Sequence, residues 1–140
     1  MTASGIPAEH IVVAAVIRDD LGRVLLTKRP QDRHMGGLWE FPGGKVRPGE
    51  SPVAALEREL NEELGIATEV SEPITFAIHE EPGLRILLLF FSVRVVVGRP
   101  SGLDGQELRW VEPAHLASYP TPPADAALIR HLARPPGQDS

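Results

Sequence analysis

The residue pattern predicts a single domain of the α/β or α+β class, a mixed β-sheet flanked by helices. Two runs rich in Val, Ile and Leu, residues 10–18 (HIVVAAVIR) and 85–97 (RILLLFFSVRVVV), are nearly continuous in apolar character. Strands covered on both faces read this way. One helix is punctuated at both ends, by Ser51 and Gly65, and another opens after Pro122 and Pro123. At 140 residues, with 42% hydrophobic and 24% charged residues, the chain suits one domain with a proper core.

In chain order, residues 1–9 read as a loose leader and residues 10–133 as the folded domain. Residues 10–18 form the first strand, Asp19-Asp20-Leu21-Gly22 a turn, and residues 24–28 the partner strand. Residues 29–39, RPQDRHMGGLW, are polar and glycine-containing and read as a mobile loop over a site. Glu40-Phe41-Pro42-Gly43-Gly44 follows as a short strand entering a turn, where the glycines let backbone approach a ligand.

Ser51 suits a helix N-cap, Pro52 the first helical position and Gly65 the left-handed position after the helix. Val53, Leu56, Leu60 and Leu64 fall on one stripe at helical spacing, which predicts a buried face. Thr68 to Ser71 reads as a short strand, and residues 74–80 and 85–97 as a hairpin around Glu81-Pro82-Gly83. Residues 98–106 read as a loop, 107–111 as a strand, and 112–119 as a helical turn and loop. The last helix would pack through Leu128, Ile129 and Leu132, and residues 134–140 read as a flexible tail.

Composition excludes several classes. There is no cysteine, so disulfide, thiolate and zinc–thiolate chemistry are absent. The N-terminus lacks a basic region followed by an apolar one, and the apolar run of residues 86–97 is broken by Ser92 and Arg94. No membrane association is expected, and the cytoplasm is the expected compartment. A net charge of −5 argues against stable binding to a nucleic-acid backbone. An anionic substrate would need local basic residues or a metal to offset that field.

The chemistry concentrates in residues 43–66, GGKVRPGESPVAALERELNEELGI. Glu59, Glu62 and Glu63 stand at helical positions i, i+3 and i+4 and share a face. Like charges so spaced destabilise a helix by roughly 0.2–0.5 kcal/mol per pair. Either the face is simply solvated, or a cation relieves the repulsion. Hard cations such as Mg²⁺ take oxygen ligands and share them with substrate phosphates. Counted from Gly44, the string resembles the Nudix box, G-x5-E-x7-R-E-U-x-E-E-x-G-U with U aliphatic, and it matches at every specified position.

The resemblance implies an α/β/α sandwich around a mixed sheet and hydrolysis of a diphosphate linked to another moiety. It implies Mg²⁺ or Mn²⁺ held by Glu59, Glu62, Glu63 and the Gly43 carbonyl, with Glu50 and Arg58 supporting the carboxylates. TKRPQDRHMGGLWEFPGGKV, GQELRW and YPTPPAD extend the resemblance to the MutT branch, over residues 10–133. In that branch positions matching Arg29, His34 and Arg85 contact phosphate or nucleotide, and the stretch Glu40, Phe41, Pro42 and Gly43 lies along the substrate. Glu107 lies where MutT-like members carry an additional acidic ligand or base, and it also reads as an exposed residue at a strand start.

The implied reaction converts a nucleoside triphosphate to the monophosphate and pyrophosphate, in nucleotide-pool cleaning. MutT enzymes that remove oxidised dGTP carry asparagine where this chain has Asp125. An ionised aspartate only accepts hydrogen bonds, which suits a base edge offering an amino group, such as cytosine N4. The resemblance thus leaves (d)CTP or its modified forms and 8-oxo-dGTP both open. Nucleotide sugars, dinucleoside polyphosphates and a non-catalytic nucleotide sensor stand as alternatives. The protein is expected to act as a monomer or homodimer.

Overall fold

The computed structural model describes residues 6–33 and 35–134. Two sheets carry the fold. The first is mixed and four-stranded, in the order β4-β1-β6-β5, from β1 (Ala8–Ile17), β4 (Gly43–Lys45), β5 (Ala67–Glu81) and β6 (Leu84–Val97). β1 runs parallel to β6 and antiparallel to β4. The second is antiparallel, in the order β3-β2-β7, from β2 (Val24–Lys28), β3 (Trp39–Glu40) and β7 (Leu108–Val111).

Helix α1 (Pro52–Leu64) covers one side. Leu56, Leu60 and Leu64, all fully buried, pack with Val13, Ala15, Ile17 and Val93. The opposite side holds Ala14, Val16 and Phe90 of the mixed sheet against α2 (Ala126–Leu132), through Leu128, Ile129 and Leu132. Alternation along β1 therefore divides its side chains between two cores. This is the expected helix–sheet–helix layering, and β1 is apolar throughout because both faces are covered.

α1 is bounded as its sequence requires. Ser51 Oγ accepts from Ala54 N at 3.1 Å, Pro52 occupies the first turn, and Gly65 adopts φ 70° while donating to Asn61 O at 3.0 Å. Val53 departs from the expected buried stripe. It is 40% exposed, and Ala55 is the residue that completes the apolar face.

Two other expectations are corrected. Ala8 and Glu9 belong to β1 rather than to a leader. The segment expected as two pieces, Thr68 to Ser71 and residues 74–80, is one strand, β5, with register shifts against β6 between Val70 and Glu72 and between Pro73 and Thr75. β5 is an edge strand, so Pro73 is tolerated at a bulge where a central strand would lose a ladder bond. Arg29 N donates to Leu38 O and Gly37 N to Arg29 O, at 2.8 and 3.0 Å, closing the base of the loop before β3.

Leu60→Ala removes a fully buried side chain between α1 and β1, and is expected to lower unfolding free energy by about 2–5 kcal/mol in urea titrations. A change below about 0.5 kcal/mol, the range of ordinary surface substitutions, would contradict this packing.

Candidate active site

The site begins where backbone meets backbone. β4 lies against β1 with Ala14 opposite Gly43 and Val13 opposite Gly44. A Cβ on Gly43 would run into the Val13 carbonyl, and a Cβ on Gly44 into the Glu59 carboxylate. The two glycines thus serve different ends. One lets the strands close, and the other leaves room for an acidic side chain from α1.

Arg58 organises the carboxylates. Its Nε and Nη2 donate to Glu50 Oε2 and Oε1 at 2.6 and 2.9 Å, a bidentate clamp. Its Nη1 donates to Glu59 Oε1 at 2.7 Å and Glu62 Oε1 at 3.1 Å, and Nη2 reaches the Lys45 carbonyl at 3.1 Å. One guanidinium therefore ties the loop before the helix, the helix and β4 together. Arg58, with the Arg47 backbone N–H, holds the Glu50 carboxyl down to about 2. Those carboxylates in turn stabilise the charged form of Arg58.

Beside this cluster lies a cavity of about 500 Å³, within the range of small-molecule sites. Its wall brings Gly43, Glu59 and Glu63 together with the predicted substrate residues Arg29, Glu40, Phe41, Pro42 and Asp125. Glu62 is not in the wall. It is half-exposed and paired with Arg58 and, at 3.6 Å, with Arg47. Glu107 borders a smaller adjoining hollow shared with Lys28 and Arg29, and pairs with Arg109 at 2.9 Å. His34 lies outside the described residues.

Arg85 is not brought to the cavity. It binds Glu9 and Glu80 at 3.0 Å each, while its neighbours Leu84 and Ile86 line the wall. Strand alternation is the reason, since side chains at 84, 86, 88 and 90 share a face that 85 does not.

Residue pattern missed other parts of the wall: Lys28, Arg33, His10, His79, Asp104 and Gln106. Asp104 and Gln106 arrive on a loop that caps α1. Leu103 N and Gln106 Nε2 both donate to Glu63 O, at 3.1 and 3.2 Å, and Ser101 N to Leu64 O at 3.1 Å. These bonds satisfy helix carbonyls that lack partners within the helix. The signal for them was the run of turn residues in 98–106, whose target was not legible.

The charge balance is unusual for a protein interior. Burial first, then Glu59, Glu40, Asp104 and Glu62, push the Glu63 carboxyl up to about 8. Burial and the Glu40 charge push Asp125 up to about 7, and Asp125 is only 4% exposed. Burial raises Glu40 as well, opposed by Arg29, whose Nη1 donates to Glu40 Oε1 at 3.2 Å. Asp125 is thus not the plainly ionised acceptor expected from its residue type. Burial and Glu40 favour its protonated form, which both donates and accepts.

Among the described residues no three His, Cys, Asp or Glu side chains are gathered so as to hold a metal ion by themselves. The donor set nevertheless fits one. It is all oxygen, as hard divalent cations require, and its carboxylates are short of positive charge, with Glu59 and Glu62 sharing Arg58 and the Glu63 carboxyl pushed up by burial and then by its acidic neighbours.

Residues 12–131 match the NUDIX domain family. The chain is 41% identical to an 8-oxo-dGTP diphosphatase of Haemophilus influenzae, over 86% of this chain and 89% of that one. It is 43% identical to a CTP pyrophosphohydrolase of Escherichia coli, over 84% and 87%. The crystal structure of a MutT protein from Methanosarcina mazei superposes with a TM-score of 0.81 at 27% identity, covering 90% of this chain and 94% of that one. Nudix hydrolases generally need a divalent metal. The box read from residues 43–66, the layered fold and the acidic cavity beside α1 agree with these likenesses, and the chain belongs to the NUDIX domain family, among its MutT-type hydrolases.

Proposed function

We propose that the protein hydrolyses nucleoside triphosphates to the monophosphate and pyrophosphate, as a cleaner of the nucleotide pool. The observation that carries the reading is one cavity with two unlike ends. Glu59 and Glu63 belong to α1, which packs on β4, and the buried Asp125 ends a turn that packs on β5 at the other edge of the sheet, with Phe41 and Pro42 also in the wall. Likenesses to a CTP pyrophosphohydrolase and an 8-oxo-dGTP diphosphatase support it.

Glu59, Glu62, Glu63 and the Gly43 carbonyl would hold Mg²⁺, or Mn²⁺ in its place. Such an ion neutralises phosphate oxygens and eases deprotonation of a water. The chain's own residues do the rest. Arg29 and Lys28 offset phosphate charge along the wall. Arg58 keeps Glu59 and Glu62 in place. Water oxygen bonds to the β-phosphorus, and the bond from that phosphorus to the α–β bridging oxygen breaks. The bridging oxygen leaves with the monophosphate, and a cavity carboxylate, Glu59 or Glu63, accepts the water proton. Glu107, one cavity over, would be an auxiliary acid or base.

Asp125 would read the base. Ionised, it accepts from an amino group, as on cytosine N4. Protonated, it also donates, which suits the mixed donor and acceptor edge of an oxidised guanine. A buried carboxyl near about 7 supports both substrates, (d)CTP with its modified forms and 8-oxo-dGTP. A mismatched polar group in such a pocket costs enough to separate them from other bases.

Two outcomes follow. Pyrophosphate release should require Mg²⁺, stop with chelator, and fall about 100-fold or more in Glu63→Gln. Activity that survives both changes would refute the mechanism. A panel of dNTPs, CTP, methylated dCTP and 8-oxo-dGTP, ranked by kcat/KM, should favour cytosine or oxidised guanine nucleotides.

The Asp125 proton is also measurable as stability. Its folded value, about 7, lies above the ordinary 3.8, so the folded state retains a proton that the unfolded chain releases. Its contribution to stability is therefore greatest below 3.8 and is lost as pH rises toward about 7. The unfolding free energy of Asp125→Asn relative to wild type should rise across that window in urea titrations. Parallel curves would mean that Asp125 is ionised throughout.

A further inference from the structure

We propose that His79, held by Glu81, is a positioning residue that contacts the nucleobase at the rim of the cavity. The proposal rests on the nucleotide-hydrolase reading above and adds a second residue, besides Asp125, that meets the base.

Strand register supplies the first argument. β5, β6 and β1 align His79 with Ile86 and Ile86 with His10, so two imidazoles flank one isoleucine in a row across three strands. All three residues line the cavity, as do Leu88 and Val12 of the next row and Phe90 and Ala14 of the row after. The floor is therefore apolar, with polar side chains only at its outer corners. Sheet order supplies the second. Gly43 is on β4 at one edge of the sheet, in the row of Ala14, and His79 on β5 at the other, in the row of His10, so they lie three strand spacings across and four residues along, about 19 Å apart at the usual strand spacing and rise per residue. The two residues therefore mark well-separated ends of the sheet face. Phosphate chemistry belongs to the β4 end beside Glu59 and Glu63, so the base is left to the β5 end.

The packing there agrees. Asp125 ends a short 3₁₀ turn, Pro123–Asp125, that packs on β5. Asp125 is deep, at 4% exposure, and His79 shallower, with its side chain 21% exposed. A base entering with its polar edge toward Asp125 passes His79 at the mouth. The ring is not free to swing away, because Nε2 lies 2.9 Å from Glu81 Oε2, two residues on along the strand. A fixed flat ring beside a base is worth enough in stacking or edge contact to matter to binding.

A merely structural pair at the end of the β5–β6 hairpin is separated from this role by a base-free probe. In the full-length protein, the ring-proton NMR signals of His79, assigned through His79→Phe, should shift on adding CMP or GMP and stay put on adding ribose 5-phosphate. With the nucleotide that the panel favours, His79→Ala should raise KM about tenfold and leave kcat within about twofold, and His79→Phe, which keeps a flat ring, should recover most of that loss. Signals that ignore the nucleotides, or that move equally with ribose 5-phosphate, would overturn the contact, as would an unchanged KM in His79→Ala. Base-dependent shifts in a protein that hydrolyses no triphosphate would instead refute the hydrolase reading and leave the contact standing.

Discussion

The fold is arranged around one electrostatic problem, the gathering of carboxylates at the C-terminal half of α1. Glu59, Glu62 and Glu63 occupy adjacent positions on that helix, and Glu40 and Asp104 add charge from outside it. A helix C-terminus also carries negative partial charge, so the dipole opposes the arrangement rather than helping it. Arg58 is the local answer. Its five donors are shared among Glu50, Glu59, Glu62 and the Lys45 carbonyl, which fixes the helix to the turn before it and to β4 in one step. A lysine could offer charge but not this fork. Glu63 lies beyond the reach of this network, and burial and its neighbours push its carboxyl up to about 8.

Backbone geometry answers the same problem. Gly44 leaves the space that the Glu59 carboxylate fills, and Gly43 lets β4 approach β1. The helix end is closed by the segment around Leu103 and Gln106, which takes up the Glu63 carbonyl and brings Asp104 to the cavity. The box thus specifies a helix, the strand that faces it and the space between them.

Local chemistry was legible in the sequence because spacing along one helix maps directly to a face. Ser51, Pro52 and Gly65 marked α1 at both ends, and the box placed its carboxylates together. What was not legible depends on register between strands. The family resemblance made Arg85 a contact to phosphate or nucleotide, but one step along β6 decides between cavity and solvent, and Leu84 and Ile86 are on the cavity side. His79 and His10 were overlooked for the converse reason, since they sit 69 positions apart and meet only through Ile86. β5 hid its continuity behind Pro73 and the register shifts on either side of it, a pattern that an edge strand accommodates and a sequence window reads as a break. The protonation of Asp125 was equally out of reach, because burial and Glu40, rather than residue type, set it.

The two ends of the cavity respond differently to change. At the α1 end Glu59 and Glu62 share Arg58, Glu59 fills the space left at Gly44 and the Glu63 backbone carbonyl is capped, so a substitution there disturbs several groups at once. At the Asp125 end no hydrogen bond holds the carboxyl among the described residues, and its state is set by burial and one neighbouring charge. A substitution in the apolar floor would alter that state apart from the α1 carboxylates, whereas Glu40 raises both Asp125 and Glu63 and so couples the two ends. In the proposed reading, reaction chemistry and base choice are separable only as far as the shared Glu40 charge allows. That separation is a physical reason why relatives named for cytosine and for oxidised guanine nucleotides can share one box and one fold.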